Sequence, residues 1–174
     1  MIFLNKFLLI VTVLVSYYFI SDFFIKTKIP DESIRIRILA NSNSSKDQSV
    51  KEKVKTNLEE YLYNTLKDTK GIDNARTIIN NNLGNISNNV KNSLNSLNYN
   101  KKYDINFGYN YFPKKEYNGI MYDEGYYESL LVTLGDGLGD NWWCVLFPPL
   151  CMLENDTDEV EYKLFVSEIL KKYL

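Results

Sequence analysis

The chain begins with an apolar stretch that has no periodic pattern. Residues 7–20 are apolar apart from a few interruptions such as Thr12 and Ser16, and continuing through Ile25 brings the run close to the roughly 20 residues that span a bilayer. A segment without a polar face is typical of an export signal or a membrane anchor rather than of a core helix. No Ala-x-Ala-like cleavage site follows, so the sequence favours an uncleaved signal anchor over a cleaved signal peptide.

Periodic patterning starts after a short linker at residues 26–32. Isoleucines then alternate with polar residues, with Ile34, Ile36 and Ile38 on one side and Ser33, Arg35 and Arg37 on the other. This period of two predicts a strand whose arginines lie on its solvated face. Ser45 and Gln48 match a capping box, and apolar residues next recur at helical spacing towards Gly71: Val50, Val54, Leu58, Tyr61, Leu62 and Leu66. The outer face of this predicted helix is charged: Lys51, Glu52, Lys53, Lys55, Glu59 and Glu60.

Weaker helices and several strands follow. The spacing predicts helices over residues 72–83 and 86–97 with Gly84 as the break between them, and then a half-buried strand over residues 103–111 that Pro113 ends. Further strands are predicted over residues 120–122 and 126–134, the first preceded by a turn at residues 117–119. The glycine-rich Gly135–Asp140 segment is expected to be a flexible connection between strands. It lacks the lysine of a phosphate-binding loop and the closing glutamate of a calcium loop.

The most unusual run of the chain is Asn141–Cys151, which contains both tryptophans, both cysteines and two of the four prolines. Its apolar residues suit a buried strand or a docking surface, and Pro148 and Pro149 must end the strand. Extended, the six residues between the cysteines would separate the two Cα atoms by about 23 Å, whereas a disulfide needs about 4.4–6.8 Å. A bond between Cys144 and Cys151 thus requires a reversal at the prolines, for which a cis bond is one means; two reduced, packed thiols are the alternative.

These patterns together predict an α+β fold. Helices pack on one face of a small mixed or antiparallel sheet, with an N-terminal hydrophobic export or anchor helix and a C-terminal amphipathic helix. The tryptophan strand is expected at the centre of the sheet because it is apolar on both faces. The predicted regions are residues 1–25 (signal peptide or anchor), 26–32 (linker), 33–153 (globular domain) and 154–174 (acidic segment and terminal helix, docked on the sheet).

Composition removes several classes of function. Histidine is absent among the 174 residues, which excludes Ser-His and Cys-His nucleophile pairs and imidazole ligands. Two cysteines alone do not complete a tetrahedral zinc site, and a net charge of −2 with scattered basic residues argues against nucleic acid as a partner. No serine-hydrolase or aspartic-protease motif is present, so the sequence predicts a protein that is not an enzyme and uses no cofactor, metal or small-molecule substrate.

Several segments around the tryptophan run occur together in one known family. Asn141–Cys151, preceded by Glu124–Glu128 and Leu134–Asp140, and the upstream Ile36–Gln48 segment resemble the stage II sporulation protein R family of endospore-forming bacteria. The resemblance covers about residues 34–153. It implies an exported signal that is made in the forespore and crosses its membrane into the intermembrane space. There it would act on the extracytoplasmic face of a membrane-embedded aspartic protease of the mother cell, which processes a sigma-factor precursor.

The resemblance also identifies candidate site residues. A polar loop matches the family's first motif: Asn41, Ser42, Asp47 and Gln48. The candidate partner-binding residues come from the tryptophan run: Asn141, Trp142, Trp143, Phe147, Pro148, Pro149 and Leu150. The alternative for the loop is that its polar side chains only satisfy backbone groups between a strand and a helix. The alternative for the tryptophan run is that its side chains are part of the hydrophobic core.

Two other functions remain open from the sequence. A thiol-disulfide enzyme would use Cys144 and Cys151, although the spacing is not Cys-x-x-Cys and the apolar strand offers no group to stabilise a thiolate. A structural protein of the cell envelope would use the aromatic run only as its core.

Overall fold

A computed structural model of the protein describes residues 2–26, 32–117, 120–150, 169 and 171–173. The elements follow in the order α1 (Ile2–Lys26), β1 (Ile34–Leu39), α2 (Ser45–Leu66), α3 (Ile72–Asn81), α4 (Leu83–Ser96), β2 (Tyr103–Phe112), β3 (Lys115–Tyr117), β4 (Ile120–Tyr122), β5 (Gly125–Leu134) and β6 (Asn141–Phe147). No helix in the described part of the chain combines the length and the hydropathy that a membrane crossing needs. The N-terminal segment forms helix α1, and its role as an anchor stays a prediction.

The main sheet is mixed and has the strand order β2-β5-β1-β6. Strand β1 pairs parallel with β5 and antiparallel with β6, while β2 pairs antiparallel with β5. The predicted mixed sheet is confirmed, but the central position of the tryptophan strand is wrong, because β1 and β5 occupy the centre. Among the described strands, β6 lies at an edge of the sheet and is nonetheless apolar on both faces, because separate layers of side chains cover each face.

The helices cover one face of this sheet, as the sequence predicts. The apolar residues of α2 are buried against the isoleucines of β1 and the leucines of β5: Val50, Val54, Leu58, Leu62 and Leu66. Three boundaries differ from the prediction. Helix α2 is capped by Ser44 rather than Ser45, since Ser44 Oγ accepts from Asp47 N at 3.2 Å, and it ends at Leu66. The break between α3 and α4 falls at Asn82, so Gly84 lies inside α4.

The other face of β1 is not solvated, which contradicts the prediction for its arginines. Arg35 is only 4% exposed, and its Cζ lies 3.2 Å from the ring centroid of Tyr127. The rings of Phe112, Tyr122 and Trp143 surround the same guanidinium within 6 Å. Cation–π attraction and the aromatic cover replace water here. Tyr122 belongs to the small β3–β4 hairpin, whose strands pair across the turn residues 118–119, which lie outside the described residues.

The residues of β2 that alternate towards the helices differ in burial along the strand. Tyr103, Ile105 and Phe107 pack against the core, whereas Tyr109 and Tyr111 farther along β2 are exposed.

Of the predicted terminal helix, the structure describes residues 169 and 171–173 as helical. Tyr173 is buried there, with its ring 5.8 Å from that of Phe147 and its hydroxyl donating to Lys67 O at 2.6 Å. This contact agrees with docking of the terminal segment on the domain.

Candidate functional site

The loop between β1 and α2 is built around the carboxylate of Asp47. Its Oδ2 accepts from Ser42 Oγ at 2.5 Å and from Asn41 Nδ2 at 2.7 Å, and its Oδ1 accepts from the Tyr99 hydroxyl at 2.6 Å. Hydrogen bonds from Ser42, Tyr99 and Asn41 hold the pKa of Asp47 well below its usual range. Burial and the bond to Asp47 raise the pKa of Tyr99. The site is therefore a fixed anion with its donors in place rather than a proton-transfer pair.

Gln48 extends the same network toward α2. Its Nε2 donates to Ser42 O at 3.0 Å and to Asn43 Oδ1 at 3.3 Å, and its Oε1 accepts from Lys51 Nζ at 2.7 Å. Lys51 is buried here, so its predicted place on the charged outer face of α2 is wrong. The four residues that carry the first motif, Asn41, Ser42, Asp47 and Gln48, are thus brought together in one network.

The glycine-rich segment Gly135–Asp140 packs directly on this loop. Asp136 N donates to Asn41 Oδ1 at 3.1 Å, Gly139 N to Ala40 O at 2.9 Å, and Asp140 N to Asn43 Oδ1 at 2.6 Å. The expectation of a flexible connection is wrong, because these bonds to residues nearly a hundred positions away fix the segment. We call the Asn41–Gln48 loop and the Gly135–Asp140 segment together the motif junction.

Glycine is required in this segment by its conformation and its closeness to the loop. Gly135 and Gly137 have φ of +60° and +67°, which L side chains rarely adopt. A Cβ on Gly139 would lie 2.3 Å from Ser42 O. Leu138 is the large apolar side chain that the motif junction exposes; it is 82% exposed and lies between the exposed Asp136 and Asp140. Sequence reasoning missed Leu138, although a lone leucine among glycines and aspartates was a visible signal.

The tryptophan run is mostly interior. Trp143 is 9% exposed, and the residues that follow the strand's middle are buried as well: Phe147, Pro148, Pro149 and Leu150. Buried side chains cannot contact a partner in this conformation, so they serve the core, and any contact role for them stays a prediction. Asn141 and Trp142 are half-buried. Trp142 lies beside α2, with Lys55 Nζ 5.2 Å from its ring centroid.

Asn141 is held by an arginine of the neighbouring strand. With its amide oxygen facing β1, Asn141 accepts from Arg37 Nε at 2.6 Å and from Arg37 Nη2 at 2.8 Å. Arg37 Nη1 also donates to Tyr111 O at 2.9 Å. Arg37 therefore ties the first residue of β6 to the end of β2.

The chain reverses directly after β6. The Phe147–Pro148 peptide bond is cis, and Leu150 N donates to Val145 O at 3.1 Å. Cys144 is a half-buried thiol whose Sγ lies 3.7 Å from Val145 O. Cys151 lies outside the described residues, so the pairing of Cys144 with Cys151 stays a prediction. Across the described residues, no group of three or more cysteine, aspartate or glutamate side chains is placed to hold a metal ion.

Comparison with known proteins gives the family. The family model of stage II sporulation protein R matches residues 30–157, which contain both parts of the motif junction and the tryptophan run. The chain belongs to the stage II sporulation protein R family. It is 39% identical over 144 residues to the stage II sporulation protein R of Bacillus subtilis (strain 168). These 144 residues are 83% of this chain. The chain spans 64% of that relative's length.

Family membership supports a role in sporulation. No solved structure matches the chain.

Proposed function

We propose that the chain is an exported sporulation signal that activates a membrane-embedded aspartic protease and so triggers processing of a mother-cell sigma-factor precursor. Membership of the stage II sporulation protein R family carries this proposal. In it, the apolar α1 takes the chain across the forespore membrane, either as a cleaved signal or as an anchor, and residues 33–153 meet the extracytoplasmic face of the protease. The chain itself makes and breaks no bond and uses no cofactor.

Activation of this kind requires unequal binding. A ligand shifts a protease from an inactive to an active state only as far as it binds the active state more tightly. Moving an equilibrium from 1:99 to 99:1 takes about a 10⁴-fold difference in affinity. A rigid surface suits this task, because little conformational entropy is lost when it binds.

The motif junction is the best candidate for that surface. Its backbone is held by the bonds from Asp136, Gly139 and Asp140, so the backbone of Leu138 between them has a defined position. An apolar side chain that is exposed in the free protein can gain about 25 cal/mol for each Å² that a partner covers. Trp142, four residues along the chain and half-buried, is the neighbouring candidate anchor.

The test is cleavage of the sigma-factor precursor in a bacterium that does not sporulate and that produces the full chain, the cognate protease and the precursor. We expect cleavage only when the chain is present, and little or none when the chain lacks residues 1–26 and stays inside the cell. Leu138→Ala should reduce cleavage several-fold. Leu97→Ala is the matched control, since Leu97 is also an exposed leucine but lies at the end of α4.

One structural observation favours a second candidate function. The burial of Trp143, Phe147 and Leu150 fits a structural envelope protein that uses its aromatic run as core. That candidate predicts no cleavage above background with a well-folded, exported chain, and no effect of Leu138→Ala. Absence of cleavage would remove the signalling proposal, whereas an unchanged Leu138→Ala variant alone would remove only Leu138 as the contact.

A further inference from the structure

A second surface lies at the opposite end of strand β5 from the motif junction. A cleft of about 320 Å³ is lined there by residues of β2, β5, α3 and the segment before β1, among them Tyr109, Tyr126, Asp73 and Glu32. This volume is at the lower end of the range of known ligand sites. The cleft lies outside the motif junction and the tryptophan run, although Tyr126 and Glu128 belong to the Glu124–Glu128 segment that also resembles the family.

Exposed aromatic rings are concentrated beside this cleft. Tyr109 is 74% exposed and Tyr126 is 72% exposed. Tyr111 lies directly opposite Tyr126 in the β2–β5 register, and their rings are 5.7 Å apart in an edge-on arrangement. Tyrosine is enriched in protein interfaces because its ring contributes a large contact area while its hydroxyl remains satisfied. The end of the β2–β5 ribbon therefore has the composition of a contact surface.

The charge of the cleft is negative. Its lining contains the carboxylates of Glu32, Asp73 and Glu128 and the guanidinium of Arg76, a net charge of −2. Arg76 is already engaged, since Nε and Nη2 donate to Glu128 at 2.6 and 2.8 Å and Nη1 donates to Asp73 at 2.5 Å. These bonds raise the pKa of Arg76, so its charge is permanent. The remaining negative charge is open to a cation from outside.

One residue that lines the cleft carries a buried polar atom without a hydrogen-bond partner among the described residues. Ser33 is 2% exposed and lines the cleft, and among the described residues its Oγ makes no hydrogen bond. A buried hydroxyl without a partner is costly, and it is ordinarily satisfied in the functional state of a protein. Ser33 Oγ is covered in this conformation, and a turn of its side chain would let it accept from an ammonium or guanidinium group in the cleft.

The strand beside the cleft offers a further contact. Strand β2 lies at the edge of the sheet opposite to β6, and in the described part of the chain no strand pairs with its outer edge. An extended peptide can add to such an edge through backbone hydrogen bonds while alternate side chains enter adjacent pockets.

We propose that this cleft binds a lysine or arginine side chain carried by an extended basic segment of a protein partner. The cation contacts the rings of Tyr109 and Tyr126 and pairs with Asp73 and Glu32, and Ser33 Oγ accepts from it once the Ser33 side chain turns towards the cleft. Ring faces and carboxylates attract cations and repel anions, so both features select the same ligand. This goes beyond the proposed function, because it holds whether or not the basic segment belongs to the protease.

The test is direct binding of tetralysine to the full chain with isotope-labelled tyrosines, followed by NMR. We expect saturable shifts of the Tyr109 and Tyr126 ring signals that weaken as salt is added. Tyr126→Ala should reduce the affinity about two- to five-fold, the range of an exposed cation–π contact. Tyr126→Phe, which keeps the ring, should bind as the unchanged chain does. Asp73→Asn should also weaken binding.

The matched controls separate a specific cleft from general attraction to an acidic protein. Glu60→Gln removes an exposed carboxylate on α2, away from the cleft, and should leave the affinity unchanged. Tetraglutamate should produce no shift. Shifts that do not saturate, that fall equally in the Glu60→Gln chain, or that tetraglutamate also causes would overturn the proposal. The protease is absent from this experiment, so its outcome is independent of the cleavage test.

Discussion

Gly139 illustrates how closely the two halves of the motif junction approach each other. A Cβ at this position would meet Ser42 O at 2.3 Å, and backbone atoms cannot move aside as a flexible side chain can. We expect Gly139→Ala to lower the free energy of unfolding by about 1–3 kcal/mol, the usual cost of overpacking. It should also displace Leu138 and reduce precursor cleavage.

Gly84 provides the control for this substitution. It lies inside α4, and a Cβ there would meet no atom within 4 Å. Gly84→Ala should raise the free energy of unfolding by about 0.5–1 kcal/mol, because alanine loses less backbone entropy in a helix. Urea unfolding of both variants measures the two effects. Equal effects at the two positions would show that the tight approach of Gly139 to Ser42 is not maintained.

Glu59 gives a pH-dependent prediction at the scale of one residue. Burial, opposed by Lys55 and reinforced by Glu52, raises the pKa of Glu59 to about 7. Its carboxyl lines a small apolar hollow with Ile36, Leu62 and Leu146. A folded-state pKa above the unfolded value of about 4.3 means that folding favours the protonated form. The contribution to stability is full below pH 4.3 and is lost as the pH rises to 7.

We therefore expect Glu59→Gln to be more stable than the unchanged chain at pH 8 and close to it at pH 4.5. Urea unfolding at the two pH values measures the difference. Glu60→Gln serves as the control. Because Glu60 is exposed, its substitution should change the free energy of unfolding by the same amount at both pH values. A stability gap between Glu59→Gln and the unchanged chain that is the same at both pH values would contradict the raised pKa.

At the scale of elements, β6 places its two tryptophans on opposite faces of the sheet. Trp143 faces the aromatic layer, with its ring 4.7 Å from that of Tyr122 and 5.7 Å from that of Phe112. Trp142 faces α2 and is half-buried. We expect Trp143→Ala to lower the free energy of unfolding by about 3–5 kcal/mol, as for other buried aromatic residues, and Trp142→Ala by roughly half as much.

Fluorescence-detected denaturant unfolding measures both values, because each variant keeps one tryptophan. Trp142→Phe is the companion variant, which retains an aromatic ring against Lys55 and should recover most of the lost stability. If the two alanine variants lost equal stability, the assignment of the two faces would be wrong.

The elements that could be predicted from the sequence are those whose pattern is local. The apolar spacing of α2 and the alternation in β1 indicate which side meets the core, since burial of one face repeats with the period of the element. Arg35 could not be predicted in this way, because the rings that cover it come from Tyr127 of β5 and Tyr122 of the hairpin, far along the chain.

The arrangement of the candidate site shows the same limit. Both halves of the motif junction carry recognisable sequence motifs. Their hydrogen bonds, however, join residues such as Asn41 and Asp136, and no local sequence pattern indicates that these two residues meet in space. The edge position of β6 depends likewise on β1 accepting a partner on each side. An apolar strand is equally compatible with the centre of a sheet and with an edge that side chains cover.

At the scale of the whole molecule, β5 separates the two exposed surfaces. Tyr126 stands near its start and Leu138 follows its end, and the eight residue steps of strand from Tyr126 to Leu134 alone span about 26 Å at roughly 3.3 Å per residue. Sites at this distance with no shared contact ordinarily behave independently. Two independent surfaces on one rigid body could engage two segments of a partner at once, which raises the overall affinity above that of either contact.

This independence leads to a prediction for the double variant Leu138→Ala/Tyr126→Ala. Its loss in free energy of unfolding should equal the sum of the single losses within about 0.3–0.5 kcal/mol. Leu138→Ala alone should leave the affinity for tetralysine unchanged, while Tyr126→Ala weakens it. Urea unfolding and the NMR titration measure the two quantities. A larger deviation, or an effect of Leu138→Ala on tetralysine binding, would mean that the two ends of β5 are coupled. Binding in the cleft lined by Tyr109 and Tyr126 would then change the surface that the motif junction offers to a partner.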